Sequence, residues 1–169
     1  MATAMPDRPC VLVVDDEPSV CHSVRDLLRR EFEVLTATDA EQGCRLLAER
    51  KVDVLLTDLR MPRGNGLELL SAARRTNPEV IRLMFSGFAD LDSIVAAINQ
   101  CQVFEFLRKP WRPEELLDAV RRAAAEGAAR QEARAQTERL RRELEALRAR
   151  VDQLEAEVRR LRASPPDPA

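Results

Sequence analysis

The sequence predicts an α/β protein: a doubly wound, five-stranded parallel sheet followed by a helical coiled coil. Three observations carry this. Short apolar runs alternate with helical stretches five times over residues 1–120, the pattern of strand–helix–strand units. Polar, chemically active side chains stand at the ends of those runs. Beyond residue 120 the composition changes to Ala, Arg, Glu, Gln and Leu, with no Pro or aromatic residue through Ala163, the makeup of a long helix.

The five runs are Val11–Val14, Phe32–Thr36, Val52–Thr57, Val80–Phe85 and Val103–Leu107. Each has the length of a strand buried on both faces. Helices are expected near 18–30, 40–50, 66–75 and 90–99, and from Pro113, which suits a first helical turn. Right-handed crossovers then put helices on both faces of the sheet.

The chain has 169 residues and a net charge of −2. The balance is −5 over 1–120 (15 basic, 20 acidic) and +4 over 121–162 (12 Arg, 8 acidic). No run approaches the ~20 apolar residues of a membrane span, and MATAMPDRPC lacks the layout of a secretory signal, so a cytoplasmic protein is expected. The four cysteines show no CxxC, and His22 is the lone histidine. Disulfides and zinc are therefore not expected, and the cysteines read as small buried or half-buried side chains. His22 reads as a surface residue; Phe85, Phe88 and Phe104 read as packing.

In doubly wound sheets ligands bind at the carboxyl ends of the strands. Strand one ends in Asp15-Asp16-Glu17, strand three in Asp58, strand four in Ser86-Gly87 and strand five in Lys109-Pro110. Clustered carboxylates repel unless a cation joins them. Mg²⁺ suits the set, because it needs few carboxylates and keeps water and phosphate oxygens as further ligands. Lys109 adds a point charge for a phosphoryl group. Such a site is equipped to form an acyl phosphate. Capping of the first helix is the plainer reading of Asp15 and Asp16 taken alone. Gly64-Asn65-Gly66 reads as a turn leaving the sheet edge.

The segments VVDDEPSV, TDLRMPRGNGLELL, FSGFAD and FEFLRKPW resemble, in order and position, the receiver domain of bacterial two-component response regulators, over about residues 9–122. The resemblance implies a flavodoxin-like fold with strand order 2-1-3-4-5 and a phosphorelay in which a sensor histidine kinase phosphorylates Asp58. It implies Mg²⁺ held by Asp15, Asp16, Asp58 and the backbone carbonyl of Arg60. Ser86 would hydrogen-bond the phosphoryl group, Lys109 would pair with it, Phe106 would be the aromatic switch, and Lys109-Pro110 would be cis. Phe106 lacks the hydroxyl of the commoner Tyr, and Ser86 replaces the commoner Thr. Trp111 has no role assignable from sequence.

Leu140, Leu144, Leu147, Val151, Leu154, Val158 and Leu161 are spaced alternately four and three apart. Val dominates the a positions and Leu fills d, which favours a parallel two-stranded coil. In a parallel homodimer Glu143, Arg150 and Glu157 at g face Arg148, Glu155 and Arg162 at e, three opposite-charge pairs. The expected organisation is a flexible N-terminus (1–8), the receiver (9–122), a helical connector (123–139), the parallel coiled coil (140–162) and a disordered tail (163–169). The Arg-rich stretch is similar to the basic region of zipper proteins, but Glu126, Glu132 and Glu138 interrupt it and nucleic-acid binding is not expected. An aspartyl phosphatase would need an Asp-x-Asp pair that the chain lacks.

The expected function is therefore a response regulator that passes its signal through a dimerising coil to a downstream protein. No separate enzymatic output is expected; the receiver would catalyse only its own phosphoryl uptake and hydrolysis. A constitutively dimeric adaptor and the front piece of a longer regulator are the alternatives. The Pro-rich end favours a natural terminus.

Overall fold

The computed structural model describes residues 8–62, 64–87 and 91–163. Five strands, β1 (Cys10–Val14), β2 (Glu33–Ala37), β3 (Val54–Asp58), β4 (Ile81–Ser86) and β5 (Glu105–Arg108), pair in parallel in the order β2-β1-β3-β4-β5. The helices are α1 (Pro18–Leu28), α2 (Ala40–Glu49), α3 (Gly66–Thr76), α4 (Leu91–Cys101) and α5 (Pro113–Ala163). The expected N-terminal segment, the tail, Phe88 and the beginning expected for the fourth helix fall largely outside the described residues.

Strands begin and end slightly later than the apolar runs, except the first, which begins one residue earlier. Hydrophobicity marks burial, whereas the strand is set by ladder hydrogen bonds. Phe32, Val52, Val80 and Val103 are buried approach residues that precede their strands.

β1, β3 and β4 are buried along their whole length, and the edge strands β2 and β5 are only partly so. Alternation of side chains divides the core into two layers. Leu12, Val14, Leu55 and Met84 pack with Leu47 of α2, Leu69 and Leu70 of α3, and Cys101 of α4. Val11, Val13, Val54, Leu56, Leu83 and Phe85 pack on the other face with Val24 and Leu28 of α1, and Leu116 and Val120 of α5.

Local chemistry fixes the helix starts. Pro18 opens α1 after Glu17, which makes no side-chain cap. The Asp39 carboxylate accepts from Gln42 N at 2.7 Å to start α2. Asn65 Oδ1 accepts from Leu67 N at 2.9 Å to start α3. Arg82, buried in β4, donates through Nε to Cys101 O at 2.8 Å and through Nη1 to Val80 O at 2.7 Å. It thereby ties the C-terminal end of α4 to the sheet.

The compact unit extends to Ala129. Ala123 and Gly127 of α5 are buried, and a Cβ on Gly127 would meet Ile81 Cγ1 at 3.3 Å. Close approach to the sheet explains a glycine inside a helix.

The unit from Arg130 onward is helical through Ala163. Its seven apolar stripe residues are 45% to 70% exposed, Leu154 least and Leu161 most. Surface ion pairs within this helix join Arg139 to Glu143 and Arg142 to Glu138.

Two expectations are corrected. Cys44 is exposed, unlike the buried Cys10, Cys21 and Cys101. α2 presents Gly43 and Leu47 to the core, and Cys44 lies about 100° further around the helix. Phe104 is 38% exposed. It sits in the turn before β5, held by its backbone N–H to Arg82 O, with its ring outside the core. His22 is exposed, as expected.

Candidate functional site

The carboxyl edge of the sheet is built by chain reversals that leave polar groups where strands stop. Asp15 follows β1 and is buried; Asp16 beside it is half-buried. Asp58 is the last residue of β3 and Ser86 the last of β4, both nearly inaccessible. Lys109 follows β5, and its backbone N–H donates to Ser86 O at 3.0 Å. The Lys109-Pro110 bond is cis.

Asp15, Asp16 and Asp58 each bring a carboxylate oxygen within 4.8 Å of the other two. Lys109 Nζ bridges the two buried members, donating to Asp15 Oδ2 at 2.6 Å and Asp58 Oδ2 at 2.9 Å. Their second oxygens are also engaged. Asp15 Oδ1 accepts from Glu17 N at 2.8 Å, and Asp58 Oδ1 accepts from Arg60 N at 3.2 Å. Asp58 is therefore oriented before any ligand arrives.

Burial pushes the Asp15 carboxyl above its usual range, against the pull of the Lys109 ammonium. For Lys109 burial acts downward, but its hydrogen bonds to Asp15 and Asp58 outweigh it and hold the ammonium above its ordinary value. The lysine is thus firmly charged. Three hard oxygen donors against one ammonium leave a net negative site, a donor set that fits a small divalent cation.

In front of the carboxylates lies an open cleft of about 570 Å³, lined by Asp16, Asp58, Arg60, Met61, Asn65 and Leu67. Arg60 is exposed and its backbone bridges to Asn65. Phe106 is half-buried in β5 and packs on the α2–α3–α4 core layer.

Sequence reasoning missed two contributors. Gly66 is more than a turn residue: a Cβ there would lie 2.0 Å from Asp58 O and 2.9 Å from Leu59 Cα. Its N–H donates to Leu59 O at 3.1 Å. Only a bare Cα lets α3 begin against the backbone that carries Asp58. A Gly-Asn-Gly segment signals a turn, and nothing in it signals this approach. The second is Trp111, whose ring packs on Phe85 with centroids 5.0 Å apart. An aromatic after Lys-Pro was the available signal.

Among the described residues no helix is long and apolar enough to cross a membrane.

An acidic cluster and a lysine at the carboxyl edge of a 2-1-3-4-5 parallel sheet define a receiver-type signalling domain. The chain belongs to the response regulator receiver domain family, which matches residues 11–121. It is 41% identical over 113 residues to the hydrogenase transcriptional regulatory protein HoxA of Cupriavidus necator, covering 67% of this chain and 23% of that protein. It is 34% identical over 137 residues to the nitrogen assimilation regulatory protein NtrX of Azorhizobium caulinodans, covering 79% of this chain and 28% of that one. The crystal structure of the signal receiver domain of an HD domain-containing protein from Pseudomonas fluorescens Pf-5 superposes with a TM-score of 0.72 at 32% identity, over 78% of this chain and 97% of that one. The chain thus spans about a quarter of the length of these two relatives.

Proposed function

We propose that the protein is a phosphoacceptor response regulator, phosphorylated on Asp58 by a sensor histidine kinase. The observation that carries this is the Lys109 bridge between Asp15 and Asp58, beside Asp16, with Asp16 and Asp58 lining one cleft. Asp15, Asp16, Asp58 and the Arg60 backbone carbonyl would hold Mg²⁺, which when bound supplies positive charge against the carboxylates and the incoming phosphoryl oxygens.

The chain's own residues do the rest. A carboxylate oxygen of Asp58 attacks phosphorus of the phosphohistidine; the P–N bond breaks as the P–O bond forms, and the imidazole leaves and takes up a proton. The Arg60 N–H keeps Asp58 oriented. Lys109 exchanges its carboxylate contacts for the phosphoryl oxygens, Ser86 donates to one of them, and Phe106 changes its packing in response. Water later hydrolyses the acyl phosphate.

The signal would pass through a parallel dimeric coil over residues 140–162 to a downstream protein. The exposed stripe from Leu140 to Leu161 supports this. Burying the remainder of each stripe side chain is worth on the order of 1 kcal/mol. Both chains together then match an association cost of ~4–15 kcal/mol, so the dimer is concentration-dependent. The three self-complementary g–e pairs favour a second copy as occupant.

A second reading makes the same helix the link to an output region, as in a longer regulator. It is favoured by the alignment to NtrX, whose 137 residues exceed the 111 matched by the family.

The test uses the intact chain, Mg²⁺ and acetyl phosphate as donor. Wild type takes up one phosphoryl group, Asp58→Asn takes up none, and chelation of Mg²⁺ abolishes uptake. Equal uptake by Asp58→Asn would refute the site.

A further inference from the structure

Lys109 does not meet the carboxylates unaided. Its Nζ lies 4.8 Å from the centroid of the Phe85 ring and 6.0 Å from that of Trp111. Those rings touch each other, tilted at 52° with centroids 5.0 Å apart. Phe85 is completely buried at the carboxyl end of β4, and Trp111 is half-buried against the same core layer. The Lys109 side chain is only 17% exposed. The ammonium is thus enclosed by two carboxylates and two π faces.

This arrangement has a physical consequence. A cation within about 6 Å of a ring centroid is attracted to the ring quadrupole, more so where water is excluded. The rings also displace water that would otherwise compete for the ammonium's hydrogens. Phe85 contributes the closer face. Trp111 lies at the limit of direct attraction, so its larger contribution is to close the pocket and to hold the Phe85 ring in place.

We propose that Trp111, acting with Phe85, is a positioning residue. The two rings form an aromatic cradle that holds the Lys109 ammonium on Asp15 and Asp58 in the resting site and aims it at the phosphoryl group after transfer. The proposal rests on the phosphoacceptor reading for its second half only. In the first state the cradle helps Lys109 compete with a divalent cation for the same carboxylates. In the second it keeps the charge in reach of the acyl phosphate. Removing the ring therefore changes two measurable quantities in opposite senses.

The first measurement needs neither metal nor phosphate. Side-chain protons held over aromatic faces resonate upfield of their usual positions. The Lys109 ε-methylene protons in wild type are expected upfield of those of the other lysine, Lys51, and should return toward Lys51 in Trp111→Leu.

The second measurement titrates Mg²⁺ and follows acetyl phosphate uptake at saturating Mg²⁺. Trp111→Leu is expected to bind Mg²⁺ roughly two- to fivefold more tightly and to phosphorylate slower by a similar factor, the range of a partly exposed cation–π contact. Trp111→Phe restores both toward wild type. In a Lys109→Ala background, Trp111→Leu should no longer alter Mg²⁺ affinity, since the cradle then has nothing to hold.

Lys109 protons at their ordinary positions in wild type would overturn the cradle, whether or not Trp111→Leu folds. An equal change of Mg²⁺ affinity in both backgrounds would reduce Trp111 to packing. Upfield Lys109 protons in a protein that takes up no phosphoryl group would keep the cradle and refute the phosphoacceptor reading instead.

Discussion

The two units of this chain solve opposite problems with similar proportions of leucine and valine. Up to Ala129 the apolar residues come largely in short runs, and a sheet with helices on both faces hides most of them, leaving Val95, Ile98 and Phe104 exposed. From Arg130 onward they come singly, every third or fourth residue, and remain half-exposed. Burial in the first unit comes from segments distant in sequence, so one chain supplies it. Burial in the second has to come from outside the stripe's own helix, because a lone helix has one stripe and nothing of its own to cover it. The difference teaches that spacing, more than content, decides whether a region closes on itself or looks for company.

The comparison breaks most visibly in the stripe. Leu147→Lys with Leu154→Lys would place two like-charged pairs in the seam of a dimer, at a cost of several kcal/mol. The double variant should sediment as a monomer at micromolar concentration, whereas wild type should sediment as a dimer. Its receiver should melt as before and still take up phosphate at Asp58.

Next comes the opposite failure, confined to the first unit. Gly66→Ala must move α3 or the Asp58 backbone to clear the 2.0 Å approach. A loss of about 2–4 kcal/mol is expected by analogy with overpacking and strain. Denaturant melts should show it, with helicity of residues 130–163 retained.

A smaller effect sharpens the site itself. Lys109→Ala removes the ammonium that shares Asp15 and Asp58. Mg²⁺ affinity, measured calorimetrically, should hold or rise. The conformational response to beryllofluoride should be lost.

The smallest effect lies on the surface. Arg121 donates to Glu31 at 2.6 Å and to Asp118 at 3.1 Å, and its hydrogen bond holds the Glu31 carboxyl below its usual range. A lowered folded value means stability that is present above the ordinary glutamate range and lost as pH falls through the lowered one. Wild type should melt slightly above Glu31→Gln at pH 7, and the gap should close as the pH falls below the ordinary glutamate range. Exposure and salt keep the gap small.

Much of this was legible in the sequence because strand-end chemistry is local. Asp15-Asp16, Asp58, Ser86 and Lys109 each close an apolar run, and the fold brings the run ends to one edge. The start of α5 was legible because Pro113 suits a first helical turn, whereas the order of the strands came from the family resemblance alone. What escaped depends on contacts between segments. Arg82 looks like a solvated residue in an apolar run, yet its guanidinium meets carbonyls of Val80 and Cys101 and disappears into the core. Phe104 looks like core but falls in a turn. Gly66 and Gly127 look like a bend and a helix fault; each marks a place where two backbones or a backbone and a side chain come too close for a methyl group.

The capped entry to α3 also bears on how the protein ages. Asn-Gly is the dipeptide most prone to deamidation, since the glycine nitrogen can attack the asparagine side chain and close a succinimide ring. In Asn65-Gly66 both partners are occupied: the Gly66 N–H is committed to Leu59 O, and Asn65 Oδ1 is committed to Leu67 N. The folded receiver therefore protects its own weakest chemical bond pair, and each excursion to the unfolded state exposes it. Isoaspartate at residue 65, read by mass spectrometry in stored samples, would act as a clock that counts unfolding time.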